Sequence, residues 1–331
     1  MSMVDEKVLK AQKWLNSKYR GVVGFDVVPE DGRTGWPTIF GLIRGLQNEL
    51  GISPLVDSFG ANTTRLLNDY LNQHGNIDKD TPNKNLIYII QCAMYCKGYE
   101  AGDIDGQFSL QTQSGIINLK ADMGIPGSSK LDLKTFKSLL SMNAFVLVPG
   151  GRSAIREVQQ WLNSNFSSRR DFDISPCDGY FSRGVQQALM LGIQFSLGMG
   201  DGVATGNLGP GTRNGIKSQG VLQVGTTDST SHMVQLFKAA MIFNGYESGI
   251  DFGNRTYTST NASAVSDFQD FALLPKTGQG DYQTWCSLLV STGDPDRLGK
   301  AADCMTPLTE SLRCVRRVSQ TMSLSAAAVL W

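Results

Sequence analysis

The sequence contains few of the residues on which metal chemistry depends. Its histidines are His74 and His232, and its six cysteines include no C-x-x-C pair. A zinc site takes three or four ligands, drawn mostly from cysteine and histidine. We therefore predict no metal site and no cofactor.

Several catalytic motifs are also absent. The chain has no H-E-x-x-H, G-x-S-x-G, S-x-x-K or G-x-x-x-x-G-K-[ST] stretch. Those motifs are typical of metallopeptidases, α/β-hydrolases, penicillin-binding enzymes and phosphate-binding loops, respectively. The absences argue against each of these motif-defined classes.

Neither charge nor hydrophobicity points to nucleic acid or a membrane as a partner. Lys+Arg and Asp+Glu are both 30, so no net field attracts a polyanion. No apolar run approaches the ~20 residues of a membrane-spanning helix. The start, MSMVDEKVLKAQKWLNSKYR, has no apolar core of signal-peptide length. We predict a soluble protein, with no export route indicated.

Cys92 and Cys96 lie four residues apart in a helical pattern and would share one face. A metal pair or a strained disulfide would fit that spacing. Burial as small apolar residues fits better, because free cysteine packs as a small hydrophobe.

The chain repeats itself at a fixed distance. The stretch WLNS at 14–17 returns at 161–164, 147 positions later. At the same shift, IIQCAMYCKGYEAG (89–102) matches LFKAAMIFNGYESG (236–249), and Gln47 matches Gln194. Matches of this density at one offset indicate a tandem duplication.

Each half contains two shorter repeats of one pattern. A helix ends in an aromatic residue or Gly-Tyr, and an acidic Gly-containing loop, a second helix, a Gly-rich turn and a short third helix follow. In the second repeat, Ser109 is predicted to cap the second helix. We predict a mainly α protein of tandem small three-helix units, with an irregular C-terminal tail. The predicted repeats span residues 5–72, 84–142, 152–219 and 230–292, and the tail spans 293–331.

Local chemistry explains several of the repeated residues. Gly32, Gly106 and Gly179 are predicted to occupy turns with positive φ. The neighbouring aspartates are expected to accept hydrogen bonds from loop amides. Trp14 and Trp161 end the first helices and are interpreted as core residues.

This pattern resembles the peptidoglycan-binding-like domain, a small three-helix module of bacterial and phage wall enzymes. The resemblance rests on GYEAGDIDGQFSLQT and AVSDFQDFALLPKTGQGDYQTW, with DGYFSRGVQQAL and LGPGTRNGI in the third repeat. The first repeat departs from it in DGRTGWPT, and the fourth in GIDFGNRTYTSTNASAV. The resemblance implies peptidoglycan as the partner and a wall-associated or extracellular location.

Glycan binding generally pairs flat aromatic rings with polar side chains along an open groove. Repeated weak sites would hold a repeating polymer through effective concentration. Degenerate copies that act only as spacers, or a helical scaffold for a protein partner, are the alternatives. The residues that the resemblance places on or beside the groove are Tyr99, Asp105, Phe108, Asp178, Tyr180, Phe181 and Tyr246.

The tail carries a second resemblance. TGDPDRLGKAADCMTPLTE resembles the start of a glycoside-hydrolase-like barrel related to family-25 lysozymes, with Asp303 at the end of the first strand. Such a barrel takes about 250 residues, and far fewer follow here. We therefore expect a truncated, non-catalytic domain. The alternative is a glycosidase whose acids are drawn from Asp294, Asp296, Asp303 and Glu310.

Overall fold

The computed structural model describes residues 4–229 and 231–291. Over these residues the chain forms twelve α-helices, and the loops add three isolated β-bridges. The predicted mainly α class is thus confirmed. The first six helices are α1 (Glu6–Tyr19), α2 (Trp36–Glu49), α3 (Ala61–His74), α4 (Lys84–Cys96), α5 (Leu110–Asp122) and α6 (Leu133–Leu139). The remaining six are α7 (Ser153–Phe166), α8 (Arg183–Ser196), α9 (Pro210–Gln219), α10 (Met233–Phe243), α11 (Ser259–Phe271) and α12 (Tyr282–Ser291).

These helices belong to two compact units. Of the described residues, the first compact unit comprises 4–148 and 176–178, and the second comprises 149–175, 179–229 and 231–291. Helices α1–α6 lie in the first and α7–α12 in the second. The division into four separate repeats stays a prediction.

One helix at the centre of each compact unit joins its two predicted repeats. Helix α4 packs against α1 and α2, and α10 packs against α7 and α8. Both central helices are apolar around most of their circumference, as fully buried helices are. At the α1–α4 contact the Trp14 ring stacks on Tyr88, with centroids 4.8 Å apart and planes 9° apart.

Side-chain caps define where many helices begin. Ser109 accepts a hydrogen bond from the Thr112 amide at 3.2 Å, which confirms its predicted role as N-cap of α5. Asp132 caps α6 in the same way, and Thr258 forms a reciprocal capping box with Asn261 at the start of α11.

The cysteines of the described segments are free thiols. Cys92 is fully buried among the apolar side chains of α4, as predicted, whereas Cys96 is only partly covered. Burial raises the pKa of both thiols, to about 11 for Cys96. No helix within 4–229 and 231–291 is long and apolar enough to cross a membrane.

Lys97, at the C-terminal end of α4, gives a prediction about pH. Its Nζ donates hydrogen bonds to the carbonyls of Ser141 and Asn143, and burial lowers its pKa to about 8. A neutral amine still has the two N–H groups that these carbonyls need. In the unfolded chain the pKa returns to its ordinary 10.5, so the unfolded state binds more protons between these values.

We therefore expect the free energy of unfolding of the first compact unit to rise by about 2 kcal/mol from about pH 7.5 to about pH 9.5 through this group. Urea unfolding of the wild type and of Lys97→Met at both pH values measures the difference. Wild-type stability that does not rise relative to that of Lys97→Met between these pH values would contradict the assignment.

Candidate ligand-binding surface

Eight inter-helix loops are each held by a buried polar side chain from an upstream helix, and Asn16 and Asn163 add further bonds to two of them. Six of the eight side chains are glutamine and two are lysine, and all eight are buried. They recur at equivalent places in the two halves of the chain. The first half contributes Gln12, Gln47, Gln91 and Lys120, and the second contributes Gln159, Gln194, Lys238 and Gln269.

A glutamine serves both kinds of backbone group in its loop. Gln91 Oε1 accepts from the amides of Asp105 at 3.2 Å and Gly106 at 3.0 Å. Its Nε2 donates to the Gln107 carbonyl at 2.9 Å and to Asp105 Oδ1 at 3.2 Å. One side chain thereby uses both its acceptor and its donor capacity. Without it, buried loop groups would lose their partners.

Lysine replaces glutamine where the loop presents carbonyls. Lys238 stands 147 positions after Gln91, in the repeat whose loop departs from the Asp-Gly pattern. Its Nζ donates to the carbonyls of Asp251, Asn254 and Thr256 at 3.0, 2.6 and 2.9 Å. Because an ammonium only donates, this loop turns its oxygens inward. The change in loop sequence is thus matched by a change in the residue that holds it.

The predicted turn glycines are confirmed. Gly32, Gly106 and Gly179 have φ values of +65°, +71° and +82°. At Gly106 a Cβ atom would also lie 2.5 Å from the Tyr88 ring. Glycine there serves both the backbone conformation and close packing.

The predicted contact residues of the first compact unit are already engaged. The Tyr99 hydroxyl donates to Asp122 Oδ2 at 2.8 Å. The Asp105 carboxylate is exposed but accepts from the Gln107 amide at 2.8 Å, the loop role expected of it. Phe108 is only 8% exposed, so little of its ring is open to solvent.

The predicted contact residues between 178 and 246 are placed differently. Asp178 is half-buried, and its carbonyl accepts from the Val148 amide at 3.2 Å. Tyr180 is exposed and donates its hydroxyl to the Pro149 carbonyl at 2.8 Å. Phe181 and Tyr246 are partly buried against the core of the second compact unit. They pack on different rings, Phe243 at 5.1 Å and Phe268 at 5.5 Å between centroids. The ligand-contact role of all seven residues stays a prediction.

An open cleft of about 440 Å³ lies on α5 in the first compact unit. Its walls are Glu100, Leu110, Gln111, Ser114, Gly115 and Asn118. Leu110 is 77% exposed and gives the cleft an apolar wall. Gly115 is required because a Cβ there would lie 1.9 Å from the Glu100 carbonyl oxygen. These residues are not among the contacts predicted from the sequence. The recurrence of Glu100 as Glu247 is a sequence feature that singles out this loop.

Glu100 gives the cleft an acidic edge. The Tyr95 hydroxyl donates to its carboxylate, and the Gly102 amide donates at 2.9 Å. The Tyr95 hydrogen bond is the main cause that lowers the Glu100 pKa. Within 4–229 and 231–291, no group of three His, Cys, Asp or Glu side chains is arranged to hold a metal ion.

The loop-holding role of Gln91 is testable. We expect Gln91→Leu to lower the free energy of unfolding of the first compact unit by about 2–4 kcal/mol, because buried loop groups lose their partners. Urea denaturation followed by circular dichroism measures the change. The matched control is Gln111→Ala, an exposed glutamine of the same unit, with an expected effect within about 0.5 kcal/mol. Equal effects from both substitutions would refute the role.

Comparison with known proteins supplies the context for these observations. A family model described as "FadG/YbfG, PGDB-like domain" matches residues 148–289. Two proteins of Bacillus subtilis (strain 168), both named as uncharacterized, are similar over most of the chain. FadG is 43% identical over 311 residues, covering 92% of this chain and 52% of FadG. YbfG is 37% identical over 308 residues, covering 93% of this chain and 41% of YbfG.

This chain thus spans about half the length of the curated relatives it matches. No solved structure matches it. The match over 148–289 fits a helical domain of the peptidoglycan-binding-like kind. The predicted glycoside-hydrolase-like start at 293–331, with Asp303, lies outside the described residues and outside the family-model match.

Proposed function

We propose that this chain is a peptidoglycan-binding array, non-catalytic over the described residues, in which several related helical repeats engage one wall polymer. The observation that carries the proposal is the match of residues 148–289 to the PGDB-like domain. The proposal extends to the first half of the chain because residues 5–142 repeat the pattern of residues 148–289 at a shift of 147 positions.

The loop contacts support a preformed binding surface. Each loop is fixed by a buried side chain, so the surfaces beside it need little ordering when a ligand binds. Linked weak sites on a repeating polymer gain retention through effective concentration. The array would therefore hold an insoluble wall more tightly than any single repeat.

The proposal extends to location and to what the array serves. A wall-binding array acts where the wall is, so we place the protein at the cell wall or outside the cell. Such an array would direct a wall-lytic glycoside-hydrolase-like domain, attached after residue 292, to the cell wall.

Co-sedimentation with purified insoluble sacculi tests the function. We expect the full chain to pellet saturably with sacculi and to remain in solution with microcrystalline cellulose, while the turbidity of the suspension stays constant. The chain remaining in the supernatant with both polymers would overturn wall binding and favour a helical scaffold for a protein partner. Clearing of the suspension would overturn the non-catalytic part of the proposal.

A further inference from the structure

The second helices of the first two repeats present equivalent surfaces. Helices α2 and α5 are related by a shift of 74 positions, as their first residues Trp36 and Leu110 show. The shift carries an acidic residue, Asp26, onto Glu100 of the α5 cleft. The other equivalent pairs are Pro37 and Gln111, Phe40 and Ser114, Gly41 and Gly115, and Arg44 and Asn118.

Packing beneath these surfaces supports the equivalence. A Cβ atom on Gly41 would lie 2.4 Å from Val28, in the loop that precedes α2. A Cβ on Gly115 would collide with Glu100, in the loop that precedes α5. In both repeats a glycine therefore lets the preceding loop approach the second helix closely.

The α2 surface carries a stacked aromatic pair, of which Trp36 is exposed and Phe40 is half-buried. Trp36 is 54% exposed and stacks on Phe40 one helical turn later, with centroids 5.4 Å apart and planes 28° apart. Trp36 is the first residue of the helix, after Gly35 and before Pro37. An exposed ring with a second ring stacked against it offers a flat surface on which a further ring can stack. We call Trp36 and Phe40 the aromatic platform.

Fixed charges lie along the same side of α2. Arg44 follows Phe40 by four residues and is only 11% exposed, held between two carboxylates. Its guanidinium lies 2.6 Å from Asp26 and 2.5 Å from Asp57, both of which are more exposed than the arginine. The stripe runs from Trp36 to Arg44, eight residue steps or about 12 Å along the helix. Two carboxylates against one guanidinium leave this end of the stripe acidic.

We propose that this stripe is a subsite for the glycan strand of peptidoglycan, with one sugar ring stacked on the aromatic platform and hydroxyl groups of a neighbouring sugar donating to Asp26 and Asp57. The inference rests on the proposed function and assigns it a place. A flat aromatic surface beside oriented polar acceptors suits a ring that has one apolar face and many hydroxyls. The acidic end disfavours polyanions and the carboxylates of stem peptides.

The equivalent positions in the other three repeats predict that the repeats differ in their strength of sugar stacking. The α5 cleft keeps the acidic residue and an apolar Leu110 but has Ser114 in place of the second ring. In α8 and α11 the first helical residues are Arg183 and Ser259. The aromatic platform of α2 is thus the strongest of these four surfaces for stacking.

Loss of the platform is tested with the full chain. We expect Trp36→Ala to weaken binding to a soluble oligomer of β-linked N-acetylglucosamine about tenfold by calorimetry, and Trp36→Phe to retain part of it. Pelleting with sacculi should weaken in the same order. Val23→Ala is the matched control, because it removes an exposed apolar side chain of the same compact unit that lies outside the stripe.

Thermal unfolding confirms that each variant is folded. Binding by Trp36→Ala equal to the wild type, with both proteins still pelleting, would overturn the subsite and leave wall binding intact. Failure of the wild type itself to pellet would overturn the proposed function.

Transfer of the platform gives an independent test. We expect Leu110→Trp combined with Ser114→Phe to strengthen oligomer binding several-fold, because both side chains point to solvent beside the acidic Glu100. The double variant on the Trp36→Ala background should recover part of the lost affinity. A folded double variant that recovers none would count against aromatic stacking as the source of binding.

Discussion

The buried hydrogen bonds between upstream polar side chains and the inter-helix loops are the constraint on which the rest of this structure depends. The helices are short, and the loops between them lie close to the core, so loop amides and carbonyls must find partners inside the protein. Gln12, Gln91, Gln194 and their equivalents supply those partners from helices that the hydrophobic core already positions. The loop before each second or third helix is thereby held on its core-facing side. Its solvent-facing side remains open to a ligand.

This arrangement also explains how the repeats diverge without losing their fold. Glutamine suits a loop that turns amides inward, and lysine suits one that turns carbonyls inward. Between the two halves the lysine moves from Lys120 in one repeat to Lys238 in another, and the loop around Lys238 has lost the Asp-Gly turn. The surface residues also differ between repeats: the first residues of the second helices are Trp36, Leu110, Arg183 and Ser259.

The packing of the loops also bears on which residues can contact a ligand. The ligand contacts predicted from the sequence are aromatic and acidic residues on or beside the loops. Of these, Phe108 is almost covered and Phe181 packs on Phe243. The first turn of α2 presents a large ring to solvent instead, and an ion-paired arginine lies about two turns further along the same helix. Helix positions are held more rigidly than loop tips, which suits a site whose affinity comes from stacking. Repetition would then multiply a weak contact along a polymer.

The sequence by itself determined the duplication, the mainly helical class, the Ser109 cap and the glycine turns at Gly32, Gly106 and Gly179. Each of these follows from contacts or conformational preferences within a few residues, or from direct comparison of one stretch with another. Only the tertiary structure decided that α4 and α10 join pairs of repeats into two compact units. Only the tertiary structure decided which aromatic rings are covered. The exposure of a ring depends on which residues distant in the chain pack against it. The local sequence around Trp36 and Phe108 does not identify those residues.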